Sequence, residues 1–239
     1  MKEPYLELSR TKRGGLLLFF YRCIRLLGII FGNKRILKIV LSLYWVLKRA
    51  GYGLSSLVNP MTFQNEVQAL NFDFLNSKIK STDVIVDFAC GTGRHFELIG
   101  EKCKKYIGID RDETHIKNNK ERQPSATWIT GSIEQLYQLE NPDGVILSNI
   151  LEHLDDPGEL LQALKQKTSY LLIEVPDFEC DPLNISAANN GVRWYTDADH
   201  VREYTTRSLN KLLFDSGWDN METVQRNGSI GSYAINRSL

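Results

Sequence analysis

VIVDFACGTGRHF, residues 84–96, decides the fold of this chain. Val84, Ile85 and Val86 are β-branched, suited to a buried strand, and the run ends in Asp87. Small residues and two glycines, Gly91 and Gly93, follow at once, and an apolar pattern of helical character begins after them. The reading is strand, tight glycine turn, helix. In an open α/β sheet that is the place where a ligand meets bare backbone and a helix N-terminus.

Three kinds of ligand use such a loop. A phosphate-binding Walker loop needs Lys and then Ser or Thr after its last glycine. Arg94 and His95 stand there instead, which rejects it. A dinucleotide loop needs a third small residue for close helix–strand packing, and counting from Gly91 that position is Phe96. This disfavours NAD. Asp87-Phe88-Ala89-Cys90-Gly91-Thr92-Gly93 resembles the first motif of the class I methyltransferases that use S-adenosylmethionine (SAM), acidic-x-Gly-x-Gly-x-Gly. Ala89, the smallest replacement, stands where that family has its first glycine.

Outward from the loop, strands and helices alternate. Tyr106–Asp110, Ala126–Thr130, Val145–Ser148 and the very apolar Tyr170–Val175 read as strands, with final strands at 219–225 and 232–237. Asp112 is placed to cap a helix that Pro124 ends. Asp156-Pro157-Gly158-Glu159 starts another, with an acceptor side chain before a proline at the first helical position. Thr205 or Thr206 opens a helix carrying Leu209, Leu212 and Leu213 that stops at Gly217. Phe63, Val67, Leu70 and Phe74 predict a helix before the first strand, and a short helix is expected after Gly131-Ser132. The βαβα order implies a mainly parallel sheet covered on both faces.

Charge divides the chain in two. Residues 1–60 hold 11 basic and 2 acidic residues, net +9, and the remaining residues hold 18 basic and 27 acidic, net −9. Two apolar runs, 14–31 with Arg22 and Arg25 inside it and 36–47 with Lys38, flank the turn signal Gly32-Asn33. They predict a basic amphipathic hairpin. Two arginines near the centre of a spanning helix would each cost about 2.5–3.5 kcal/mol, and no small-residue cleavage site follows, so neither a spanning helix nor a secretory signal is expected. Docking on an anionic membrane surface through residues 14–50, or capping of the adjoining domain, fits better. The expected division is a helical extension over 1–60 and a catalytic domain over 61–239. Cys23, Cys90, Cys103 and Cys180 lack metal-ligand spacing, so they read as reduced cytoplasmic thiols with no metal site. The acidic balance of the larger part argues against nucleic acid.

The resemblance extends from about residue 60 to the end. Asn149-Ile150-Leu151-Glu152-His153-Leu154 is similar to the segment after strand four in methyltransferases resembling the ubiquinone-biosynthesis type. His200-Val201-Arg202-Glu203-Tyr204-Thr205 is similar to their carboxyl part. It implies a Rossmann-like class I fold: a mostly parallel seven-stranded sheet whose last strand is antiparallel. It also implies SAM held by Asp87, Ala89, Cys90, Gly91, Gly93, Asn149 and by Ser132-Ile133, where an acid is usual. Asp110 ends the second strand, where an acid can accept from both hydroxyls of a ribose, or simply cap a helix.

Methyl transfer mainly needs two reactants held close and dry. A hydroxyl acceptor also needs a base, for which His153 and His200 are the candidates; each could instead serve packing. Arg193, Trp194 and Tyr195, with Arg202, are placed to meet an acceptor: a small molecule, a glycan or a lipid-linked compound. A non-catalytic SAM-binding module and an NAD-binding enzyme are the competing readings.

Overall fold

The structure is a computed structural model describing residues 15–58, 73–132, 141–192, 195, 197, 199–226 and 228–238. Its strands are β1 (Val84–Phe88), β2 (Lys105–Asp110), β3 (Thr127–Thr130), β4 (Gly144–Ser148), β5 (Tyr170–Pro176), β6 (Trp218–Arg226) and β7 (Ser229–Asn236). They form one sheet in the order β3-β2-β1-β4-β5-β7-β6. β1 to β5 pair in parallel, and β7 inserts antiparallel between β5 and β6. This is the expected seven-stranded sheet with an antiparallel last strand.

Alternation of side chains along the strands creates two cores. Val86, Val145, Leu147, Leu171 and Ile173 join one, with Leu161, Leu209 and Trp218. Ile85, Ile146 and Leu172 join the other, with Tyr106, Ile116 and Trp128. Strands buried on both faces read as continuous apolar runs, which is why β4 and β5 stand out in the sequence. Trp218 is fully buried and donates its indole N–H to the Leu161 carbonyl at 2.9 Å, so it loses no hydrogen bond on burial.

The helices among the described residues are, in chain order, α1 (Gly15–Phe31), α2 (Asn33–Val58), α3 (Arg94–Ile99), α4 (Glu113–Arg122), α5 (Pro157–Leu164), α6 (Pro182–Asn189) and α7 (Thr206–Asp215). Their ends follow the sequence signals. Asp112 accepts the amides of Thr114 and His115, Asp156 accepts that of Glu159, and Thr205 forms a reciprocal capping box with Ser208. Gly217 takes φ +83° just past α7. The helix expected on Phe63, Val67, Leu70 and Phe74 falls outside the described residues except for helical residues 73–76, and the one expected after Ser132 lies outside them altogether.

Two compact units emerge: Met1–Gly53 with Ile185–Trp194, and Leu54–Asn184 with Tyr195–Leu239. In the first, Gly32 (φ +93°) turns the chain from α1 into α2, and Leu41 is buried with Ala187 and Val192. Between residues 15 and 58 there are seven basic residues and no acid. Phe19, Ile29, Ile30 and Leu47 of this hairpin are more than half exposed. Among the described residues, no helix is long and apolar enough to cross a membrane.

Candidate active site

The order β3-β2-β1-β4-β5 reverses direction between β1 and β4, so the carboxyl ends of these two strands open a crevice. The glycine loop fills its β1 side. Ala89, Gly91 and Gly93 all take positive φ, +58°, +50° and +74°. Ala89 therefore keeps the left-handed geometry that the missing glycine would adopt without cost. At Gly93 a Cβ would fall 2.7 Å from the Gln123 side chain and 2.8 Å from the Trp128 ring, so glycine is required by space as well as by φ. At Gly91 a Cβ would meet no atom within 4 Å; the backbone is bare on that side.

Asp110 holds this loop. One carboxylate oxygen accepts the Gly91 amide at 2.7 Å and the other accepts the Asp112 amide at 2.8 Å. Each oxygen retains a lone pair, so the residue can organise the loop and still accept from a hydroxyl. The helix cap itself is Asp112, not Asp110. The Asn119 amide group donates to the Gly91 carbonyl at 2.9 Å and ties the loop to α4. The Cys90 side chain points into the core, where burial, then the charges of Asp87 and Asp110, push its thiol far up and keep it protonated.

Asp87 is buried and makes a structural pair that sequence reading missed. Its Oδ2 lies 2.8 Å from Nδ1 of the buried His95 and also accepts the Tyr106 hydroxyl. Burial lowers the His95 pKa, but the charge and hydrogen bond of Asp87, with Glu174 adding, overcome this and raise it; Arg94 opposes. The eight-residue separation across a turn offers no periodic signal.

On the β4 side, Asn149 takes φ +52°, which asparagine tolerates, and its backbone N–H donates to the Glu174 carbonyl at 2.9 Å. Ser132 follows β3, exposed, and Ile133 lies outside the described residues. A 3₁₀ turn, Leu151–His153, comes next. The Glu152 carbonyl accepts the amides of Val201 and Arg202, and the Tyr204 hydroxyl donates to the Leu151 carbonyl at 3.2 Å. These bonds bring residues 200–204 onto the turn although about fifty positions separate them in sequence.

The two candidate bases consequently meet: the His153 and His200 rings lie 4.7 Å apart, edge to face at 82°. His200 is the more enclosed, its side chain 6% exposed, with Nδ1 3.0 Å from Oε1 of a fully buried Glu203 side chain. His153 is half-exposed, with Nδ1 3.4 Å from Asp199. Glu152 is fully buried, and neither of its carboxylate oxygens has a hydrogen-bond partner among the described residues. Burial, opposed by a backbone hydrogen bond and reinforced by Glu203, Glu174 and Asp199, pushes its carboxyl up to about 8. Arg202 donates to the Asp155 carbonyl at 2.6 Å. Tyr195 is half-buried, whereas Arg193 and Trp194 lie outside the described residues.

Strand order, glycine loop and terminal hairpin together define the class I methyltransferase fold. Residues 62–223 match the model of a family described as a methyltransferase domain, and the chain belongs to that family. It is a SAM-dependent methyltransferase. Among solved structures it is similar to the pyocyanin biosynthetic protein PhzM, with 15% identity and a TM-score of 0.56 over 77% of this chain. The chain spans 61% of PhzM's length. It is also similar to magnesium protoporphyrin IX methyltransferase (ChlM) from Synechocystis PCC 6803 with bound SAH, at 16% identity and a TM-score of 0.54, covering 72% of this chain and 83% of that one. The N-methyltransferase NodS from Bradyrhizobium japonicum WM9 gives 16% identity and a TM-score of 0.55, covering 74% of this chain and 97% of that one. At these identities the likeness is one of fold. No curated protein gives a significant match to the sequence.

Proposed function

We propose that this methyltransferase acts on a hydroxyl or activated carbon of a small-molecule, glycan or lipid-linked acceptor, with His200 taking the proton of a hydroxyl acceptor. The observation that carries this reading is the His200–Glu203 pair. A buried carboxylate 3.0 Å from Nδ1 holds the proton on that nitrogen and leaves the lone pair on Nε2, the arrangement a general base needs.

The residues of the loop fit SAM: bare backbone at Gly91 and a carboxylate at the end of β2 suit an adenosine and its ribose. In this reading Asp110 accepts from the ribose, Gly91 and Gly93 let the cofactor approach the main chain, and Ser132, Ile133 and Asn149 face the adenosine. Bound there, the cofactor supplies an electrophilic methyl group on a sulfonium. The chain's own part is to orient and exclude water, which can contribute roughly 7–11 kcal/mol. Arg193, Trp194, Tyr195 and Arg202 then belong to the acceptor side.

The extension over 1–60 is assigned a separate role: peripheral docking on anionic lipid, which would bring residues 61–239 to a membrane-near acceptor. Exposed apolar residues with basic residues interleaved support it. The test is transfer of labelled methyl from SAM into fractionated small-molecule, glycan and lipid extracts. His200→Ala is expected to lower turnover by about 10²–10⁴-fold with SAM affinity nearly unchanged. A variant with normal turnover and a raised Michaelis constant for the acceptor would reduce His200 to a loop anchor.

A further inference from the structure

We propose that the methyl acceptor is a lipid-linked compound that stays in the membrane, and that the hairpin positions the segment that receives it. This rests on the docking role proposed above and narrows the acceptor to one class. Among the described residues, Leu41 is the one apolar side chain of α1 and α2 that is buried, at 3% exposure. Its partners in that cluster, Ala187 and Val192, come from the segment after β5, and residues 185–194 fold with 1–53 as one compact unit. The end of α6 prepares the contact. Gly191 takes φ +64° and its backbone N–H donates to the Ala188 carbonyl at 3.1 Å, while that of Val192 donates to the Ala187 carbonyl at 3.0 Å. This paired cap sets Val192 against Ala187. Arg193-Trp194-Tyr195, assigned above to the acceptor side, follows directly in sequence.

The start of the same segment is tied to the return segment that carries His200. The Phe178 backbone N–H donates to the Tyr204 carbonyl at 2.8 Å, and the Asn184 side chain donates to the Phe178 carbonyl at 3.0 Å. Helix α6 thus begins in the larger unit, up to Asn184, and ends in the hairpin's unit, from Ile185. The rest of the hairpin carries charge of one sign. Arg22, Arg25, Lys34, Arg35 and Lys38 are exposed, and residues 15–58 contain no acid. Lys48 and Arg49 lie over the Tyr44 and Trp45 rings, at 5.7 and 5.5 Å from their centroids. Cations on long stems beside interfacial aromatic rings suit an anionic bilayer. A unit that docks there and includes residues 185–194 sets that segment at the lipid surface, where an acceptor with an apolar tail is held.

The probe is a vesicle of phosphatidylcholine with or without phosphatidylserine, added to the full chain. Phosphatidylserine vesicles should slow hydrogen exchange at the Gly191 and Val192 amides by at least about fivefold, and phosphatidylcholine alone should not. Leu41→Ala, and Val192→Ala as a milder second variant, should keep vesicle co-sedimentation and SAM affinity, which show that the chain is folded, but lose that protection. Labelled methyl from SAM, offered a total lipid extract in these vesicles and a water-soluble extract, should enter the lipid. Both variants should then raise the acceptor's Michaelis constant by at least about fivefold. Absence of vesicle binding, or self-association through the hairpin in its place, overturns the docking reading and this inference together. Vesicle binding with the label in the water-soluble extract, with Gly191 and Val192 unprotected, or with both variants behaving as wild type overturns this inference alone.

Discussion

Nδ1 of His95 lies 2.8 Å from Oδ2 of Asp87, with both residues buried at the junction of β1 and α3. The pair ties the end of the central strand to the helix that follows the glycine loop. Because the carboxylate raises the His95 pKa above its ordinary value of about 6.5, the folded chain binds this proton more tightly than the unfolded one.

Stability from the pair should thus be complete below about pH 6.5 and fade as pH rises through the raised folded value. Tyr106, which shares the same carboxylate oxygen, is pushed far upward and stays neutral in this window, and Glu174 and Arg94 are the other charged groups that act on His95. Urea midpoints of wild type and His95→Gln between pH 5 and 9 should converge as pH rises. Parallel curves would remove the proton linkage.

Ala89 spends its place in the loop at φ +58°. A left-handed non-glycine residue costs roughly 1–2 kcal/mol, and glycine would return about 0.4–1 of that through the entropy of its unfolded chain. Ala89→Gly is expected to raise stability by up to about 1 kcal/mol. Gly93→Ala should lower it by about 1–3 kcal/mol, since its Cβ would strike Gln123 and Trp128. Denaturant midpoints measure both; a loss of stability in Ala89→Gly would show the loop is not strained there.

The hairpin prediction concerns Arg22 and Arg25, both exposed on α1. Each basic residue near an anionic surface contributes about 1 kcal/mol, so Arg22→Glu with Arg25→Glu should weaken binding to phosphatidylserine-containing vesicles by at least about 30-fold. Wild-type binding should also decline with salt. Equal co-sedimentation of the two proteins, independent of salt, would leave the hairpin no lipid role.

Much of the fold was legible in the sequence because its signals are local. Val84–Val86 and Tyr170–Val175 announce strands by continuous apolar character, and Asp156-Pro157 and Thr205 announce helices by capping chemistry. The glycine loop was legible for the same reason. What local pattern could not supply is distance. His153 and His200 are visible as separate candidates, but their approach depends on Val201 and Arg202 donating to the Glu152 carbonyl. Glu152 itself was passed over, because an acid beside a histidine at a strand end ordinarily reads as solvated, whereas here it is fully buried and its carbonyl receives the amides of the distant Val201 and Arg202. The packing of Ala187 and Val192 with Leu41 likewise has no signal in either segment alone.

The central claim is that the loop after β1 holds SAM, with Asp110 at its ribose, and calorimetry on the full chain tests it most directly. Wild type should bind SAM one to one and show no heat with NAD. Asp110→Ala should weaken SAM by about 10–100-fold, the loss of charge-assisted hydrogen bonds of about 1.5–3 kcal/mol. Gly91→Asn should abolish binding while the chain stays folded, because asparagine accepts φ +50° and its Cβ meets no atom within 4 Å. NAD binding without a SAM signal, or SAM binding that Gly91→Asn leaves intact, would contradict it.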